Sequence, residues 1–373
     1  MTNSPLTEIL LTNDLLRHNQ NMMRELKVSA LTIMEGGWYV LGRQVEEFED
    51  KFAAYCQTSH CVTVANGTDA LELGLRAIGV IEGDKVITVA NAGAYSTVAI
   101  LAMGAIPEYV DIDPKSMLIS IEHLSTLIDS ETRAIIVTHL YGHVASMGAI
   151  LEQASKFGIP VLEDCAQAHG GLHNGRRVGS YGAIGCFSFY PTKNLGALGD
   201  GGALVTNDAA IATRVRMLRQ YGWEQKYQIG LAGGRNSRLD ELQAALLSVK
   251  LPYLDAWNQR RVQISDGYLD GIRHPMITLP SIFPGSYVGH LFVVRTRERK
   301  SLREHLKNLG IMSDIHYPIP DYQQPAILKL FPDISLPATE RACEEVLSLP
   351  CFPEMSDAEI QRVVDAVNSW PTK

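Results

Sequence analysis

Val161-Leu162-Glu163-Asp164-Cys165-Ala166-Gln167-Ala168-His169-Gly170-Gly171 decides how this chain folds. An apolar strand, Pro160–Glu163, carries two carboxylates to its C-terminal end and then breaks into small residues and glycine. In open α/β sheets ligands gather at that edge. Taken alone, Asp164 has an ordinary explanation, because acidic residues end strands and cap helices everywhere. What surrounds it changes the weighing.

Outward from this stretch, from Val45 to about Arg219, short apolar strands alternate with amphipathic helices. The spacing predicts strands at Cys61–Ala65, Lys85–Ala90, Glu108–Ile112, Ala134–Thr138, Pro160–Glu163, Cys186–Phe189 and Ala203–Thr206. Helices are predicted at Val45–Tyr55, Asp69–Ile78, Ile121–Ile128, Met147–Phe157 and Asp208–Arg219. Runs such as Ala134-Ile135-Ile136-Val137 are apolar throughout, which signals burial on both faces. Alternation of this kind implies an α/β layer with a mostly parallel sheet. A further helix is expected from Ser237, which with Asp240 reads as a capping box, ending or bending at Leu251-Pro252. Beyond it the pattern changes: a strand at His290–Val294, a helix at Arg299–Leu309, a strand at Ile311–His316 and a helix at Pro337–Leu347. Two units follow, a large α/β domain over 1–250 and a smaller α+β domain over 251–373.

The 373 residues carry a net charge of −8, and no Lys/Arg-rich face or tail marks a nucleic-acid binder. No apolar run reaches the roughly 18 residues that span a bilayer, and Met1–Leu10 lacks the pattern of a secretory leader. The six cysteines form no CxxC, and the 11 histidines form no HExxH or paired cluster, so no metal site is expected. Buried free thiols in a cytoplasmic protein are the expectation.

The chemistry lies in three segments. Cys186-Phe187-Ser188-Phe189-Tyr190-Pro191-Thr192-Lys193-Asn194 is an apolar strand leading into a turn with one lysine, 29 residues after Asp164. A lysine beside buried apolar strands loses solvation as the cation, which favours the free amine that traps an aldehyde as a Schiff base. A carboxylate facing a pyridine nitrogen keeps that nitrogen protonated, so the ring works as an electron sink. Lysine plus carboxylate is the minimum that pyridoxal 5'-phosphate (PLP) chemistry requires. A surface lysine in a turn would be the ordinary reading of Lys193 in isolation. Ala65-Asn66-Gly67-Thr68-Asp69-Ala70-Leu71 follows a strand and opens a helix, where free N–H groups favour a phosphate; a plain capped helix start explains it equally well. Asn66-Gly67-Thr68 is also a glycosylation sequon, of no use in the cytosol. Gly196-Ala197-Leu198-Gly199-Asp200-Gly201-Gly202 is glycine-rich but follows the lysine turn rather than a strand, which disfavours dinucleotide binding.

These segments, with Asn236-Ser237-Arg238-Leu239-Asp240-Glu241-Leu242-Gln243-Ala244-Ala245, resemble the sugar-nucleotide aminotransferases of the DegT/DnrJ type, from about Gly36 to Tyr322. The resemblance implies an aspartate-aminotransferase-like fold, fold type I of the PLP enzymes. It makes Lys193 the Schiff-base lysine and general base and Asp164 the partner of the pyridine nitrogen. Gln167 would contact the ring or its phenolic oxygen, and Gly67, Thr68 and Ser188 would hold the phosphate. Asn236 would reach the phosphate of a neighbouring subunit, making a homodimer with shared active sites. Gly93 stands where the family places an aromatic on the ring, and Tyr95 or a core role for it are the two readings there. Asp321 stands where a histidine is common.

Lys193 argues against the sugar dehydratases among the relatives, which carry histidine there. The implied reaction moves an amino group from L-glutamate to a nucleotide-linked keto sugar. Tyr221-Gly222 and Lys226-Tyr227 are most similar to the branch acting on 3-keto-6-deoxyhexoses; a 4-keto sugar or a keto cyclitol are the alternatives. His169, Tyr190, Lys226, His316 and Tyr317 are the candidates for substrate contact, with Arg219 a further cation for a diphosphate. A non-catalytic regulator on this fold should have lost Lys193 or Asp164, and both are present.

Overall fold

The computed structural model describes residues 9–283 and 285–372; residues 1–8 of the segment read above for a leader lie outside them. A seven-stranded sheet forms the centre, in the order His60–Val64, Gly202–Thr206, Ile184–Ser188, Val161–Asp164, Thr132–Thr138, Lys85–Val89, Ile106–Val110. Gly202–Thr206 runs antiparallel to both neighbours and the remaining pairs are parallel. The strand ends at Val64, Val89, Asp164 and Ser188 therefore share one edge.

The Thr132–Thr138 strand shows why its sequence is apolar without alternation. Ala134 and Ile136 enter a core with Leu71, Leu75, Leu162 and Leu204, while Ile135 and Val137 enter another with Ile87, Val110, Met147 and Ile150. Helices Gly67–Ala77 and Ala209–Leu218 cover the first face. On the second face Phe48 and Phe52 of helix Arg43–Tyr55 pack edge-on to Phe187 and Phe189. Truncating any of these buried rings to alanine should cost about 3–5 kcal/mol.

Several expectations need correction. Ser237 caps nothing: the helix starts at Glu241, and the buried Ser237 hydroxyl accepts the Ala65 N–H at 3.1 Å. The tertiary partner outcompeted the local one. A true capping box occurs at Ser356 and Glu359, opening helix Asp357–Asn368. Pro252 sits in one 3-10 turn, Leu251–Tyr253, after which helix Leu254–Gly271 continues. The stretch 311–316 makes isolated bridges to Leu10 and Ser348 and is not a strand. The helix starting at Pro337 stops at Glu345, and Val346–Leu349 instead pairs antiparallel with Phe292–Arg295. Around that ladder Tyr268, Leu302, Leu306, Val363 and Trp370 form a separate core, which Leu10 joins from the N-terminal segment.

Candidate active site

The shared edge of the sheet forms one wall of a cavity of about 810 Å³, lined there by Gly67, Thr68, Asp164, Ser188, Tyr190 and Lys193. Helix Gly67–Ala77 opens at this edge, its start capped by the Asn66 side-chain oxygen accepting from the Asp69 N–H at 2.8 Å. Gly67 has no room for a side chain, since a Cβ there would lie 2.6 Å from Ser188 Cβ. Two phosphate-competent elements thus meet in contact: unpaired N–H groups at a helix start and a serine at a strand end.

Strand Val161–Asp164 splits its two carboxylates. Glu163 turns away and accepts four hydrogen bonds, from the N–H groups of Gly179 (2.9 Å), Tyr181 (2.8 Å) and Gly182 (2.7 Å) and from His139 Nε2 (3.1 Å). His139 Nδ1 accepts the Ala145 N–H at 3.1 Å, which assigns the ring proton to Nε2. Glu163, His139 and Cys165 lie within 4.8 Å of one another. The carboxylate and imidazole atoms that could bind a metal are spent on holding the loop 179–182. Asp164 faces the cavity instead. Its partners are the Ala166 N–H at 3.1 Å and the Thr138 hydroxyl at 3.4 Å, and burial raises its carboxyl above the usual range despite those bonds and Lys193. Burial pushes the Lys193 amine down to about 8, opposed by the nearby Asp164. An amine and a carboxylate at adjacent strand ends, each perturbed by desolvation, face one cavity.

The opposite wall comes from far along the chain: His290, Asp314, Ile315, His316, Tyr317, Ser348 and Cys351, with Thr12 and Asn13. Tyr317 lies against Gly93, where a Cβ would meet its ring at 2.8 Å, and Tyr95 meets the same ring edge-on at 6.1 Å. A ring from another segment thus lies directly beside Gly93. His316 Nδ1 pairs with the Ser348 hydroxyl at 2.8 Å.

Of the sequence-derived candidates, Gly67, Thr68, Tyr95, Asp164, Ser188, Tyr190, Lys193, His316 and Tyr317 line the cavity. Gln167 stands behind it: its oxygen accepts the Tyr141 N–H at 2.7 Å and its NH2 donates to the Tyr317 hydroxyl at 3.0 Å, so it positions Tyr317. His169 is fully buried against Phe187 and Phe189 and offers nothing to a substrate. Burial holds its imidazole down at about 3. Arg219 is tied up by Glu49 and by the Thr63 carbonyl at 3.0 Å. Lys226 sits on the hairpin Trp223–Ile229 over the Tyr227 ring, away from this cavity. Asn236 is exposed, also away from it. Asp321 is buried, accepting from the Ala94 N–H at 2.9 Å and the Thr97 hydroxyl at 2.7 Å. It anchors the start of helix Tyr95–Leu101, and burial pushes its carboxyl up to about 6. The sequence reading missed Asn13, Asp200, His290, Asp314 and Ser348; only Asp200 carried a local signal, its glycine-rich surroundings.

These residues fit a pyridoxal phosphate: an anion cradle too tight for a Cβ, a desolvated lysine, and a buried carboxylate facing the same space. The comparisons agree. The chain is 48% identical to dTDP-3-amino-3,6-dideoxy-alpha-D-galactopyranose transaminase of Aneurinibacillus thermoaerophilus, over 96% of this chain and 98% of that one. A crystal structure of DesV from S. venezuelae superposes with a TM-score of 0.94 at 43% identity, covering 98% of this chain and 99% of that one. The structure of NtdA from Bacillus subtilis, with bound cofactor PMP, gives 0.91 at 28% identity, covering 98% and 86%. The DegT/DnrJ/EryC1/StrS aminotransferase family model matches residues 20–368, and the chain belongs to that family, an aminotransferase whose cofactor is PLP.

Proposed function

We propose that this enzyme transfers the amino group of L-glutamate to C3 of a nucleotide-linked 3-keto-6-deoxyhexose. The observation that carries the reaction is the pairing of Lys193 and Asp164 on one cavity wall, with the lysine amine lowered to about 8. PLP, when bound, supplies the electron sink for the substrate carbanion. Lys193 would hold the cofactor and, once free, move a proton on and off the substrate's α-carbon. Asp164 would keep a proton on the ring nitrogen, and Thr68, Ser188 and the backbone at Gly67 would hold the phosphate. Tyr95 and Tyr317 offer the aromatic contact. The A. thermoaerophilus relative, named for a dTDP-3-amino sugar, supports both the nucleotide and C3.

We further place the enzyme in the cytoplasm as a homodimer with shared sites. No arginine lines the cavity among the described residues, yet glutamate's carboxylates and a sugar diphosphate call for cations. A second copy would bring exposed residues such as Lys226 and Asn236. Helix Met23–Gly36 and its exit expose Val28, Leu31, Met34, Trp38 and Tyr39, an apolar face suited to such a contact. Six buried free thiols suit a reducing compartment. Among the described residues no helix is long and apolar enough to cross a membrane.

The test is spectroscopic and then chemical. Purified protein given PLP should turn yellow, be bleached by borohydride, and lose its colour with glutamate. The glutamate-treated enzyme should then aminate a dTDP-3-keto-6-deoxyhexose faster than its 4-keto isomer, by mass spectrometry. Preference for the 4-keto isomer would overturn the C3 assignment, and a colourless protein would overturn the whole reading.

A further inference from the structure

His290 has no counterpart in the motifs, yet it is placed with care. Its ring is buried but lines the cavity. Nδ1 lies 2.9 Å from the Asn194 side-chain oxygen. The Asn194 NH2 donates to the Val288 carbonyl at 3.0 Å and to the Asn258 side-chain oxygen at 2.8 Å. The Asn258 NH2 in turn donates to the His169 carbonyl at 2.7 Å. Backbone carbonyls only accept, so these two anchors fix the orientation of both amides. The Asn194 oxygen therefore faces His290 and accepts, which assigns the ring proton to Nδ1 and leaves a lone pair on Nε2. Nε2 has no hydrogen-bond partner among the described residues. Burial, with Lys193 and Arg261 nearby, keeps the imidazole neutral. Asn194 directly follows Lys193, so one turn positions both the amine and this acceptor.

Such an atom repels carboxylates and welcomes O–H donors. Glutamate brings two carboxylates; a keto sugar brings hydroxyls beside its ketone. We propose that His290 contacts the sugar, accepting at Nε2 a hydrogen bond from a hydroxyl flanking the ketone, so that it acts in the sugar half of the reaction and not in the glutamate half. This rests on the aminotransferase reading above and assigns a specificity residue within it.

His290→Phe keeps a ring and removes the acceptor. The rate at which glutamate bleaches the cofactor band should stay within about twofold, while kcat/KM for the keto sugar falls about 10-fold or more, as for a lost hydrogen bond whose partner stays unpaired. A sugar lacking the flanking hydroxyl should lose little further in the variant, and His290→Gln, which can offer an oxygen, should recover part of the rate. Independently of turnover, 15N-histidine NMR should find Nε2 bare at neutral pH and shifted by the aminated nucleotide sugar. A protonated Nε2, an unchanged sugar half-reaction, or equal loss in both halves would overturn the assignment. Failure of the aminotransferase reading is seen separately, as wild-type protein that glutamate does not bleach.

Discussion

The two walls of the cavity are built in different ways. The sheet wall comes from strand ends and the turns after them, and each element carries its own signature: a glycine where backbone must approach, an acid at a strand end, a lysine in a turn after apolar residues. The facing wall gathers His290, Asp314–Tyr317 and Ser348 from loops and a two-stranded ladder, where only His316 and Tyr317 were marked, by the family resemblance, and His290, Asp314 and Ser348 stand in no telling local pattern. The first wall is set by chain neighbours and the second by tertiary contact. Chemistry should therefore fail when the first is cut, and geometry or selectivity should degrade when the second is.

The largest effect is expected at Lys193. Lys193→Ala should lower turnover by about 10⁴-fold while PLP still binds non-covalently, detectable as a spectrum that borohydride no longer fixes to protein. The lysine also makes a pH prediction. Its amine is depressed from 10.5 to about 8, so capture of an aldehyde by the apoprotein should rise through pH 8 and level off above it. The folded state binds fewer protons than the unfolded one between about 8 and 10.5. This site's contribution to stability is then full above 10.5 and lost as pH falls through about 8. A capture profile rising only near pH 10 would refute the desolvated amine. Asp164→Asn comes next, at about 10²–10³-fold in kcat, the loss typical of one preorganised electrostatic group, with thermal stability retained. Near-normal turnover would remove Asp164 from its role.

How much could be read beforehand follows the same division. The sheet strands are legible because burial on both faces leaves few polar positions, as at Ala134–Val137. Lys193, Asp164 and Gly67 are legible in combination, because each segment alone has an ordinary reading and only their order along the chain matches the aminotransferase motifs. Ser237 misled because a capping pattern is local, and the residue found a buried partner at Ala65 instead. His169 misled similarly: it shares a motif with Asp164, but the chain after the strand turns its ring into the phenylalanine core. His290 was invisible because its placement depends on Asn194 and Asn258, 96 and 32 residues away.

Two glycine-to-alanine substitutions put the division itself to the test. On the sheet wall, Gly67→Ala places a Cβ 2.6 Å from Ser188 Cβ, an overpacking strain of about 1–3 kcal/mol. Because the clash lies within the phosphate cradle, PLP affinity should fall by about 10-fold or more, measured by titration of the apoprotein.

Gly93→Ala sits where the two walls touch and should have the smaller effect on cofactor affinity. Its φ of +82° already disfavours a side chain, costing about 1 kcal/mol, and the added Cβ would press on the Tyr317 ring at 2.8 Å. Tyr317 belongs to a loop, and its hydroxyl accepts from the flexible Gln167 side chain at 3.0 Å, so it can yield where the Ser188 backbone cannot. The expected outcome is a modest fall in melting temperature, PLP affinity within about threefold of wild type, and a raised KM for the keto sugar as Tyr317 shifts. If Gly93→Ala instead weakened PLP as much as Gly67→Ala, the facing wall would be part of the cofactor cradle, and the separation of chemistry from selectivity would fail.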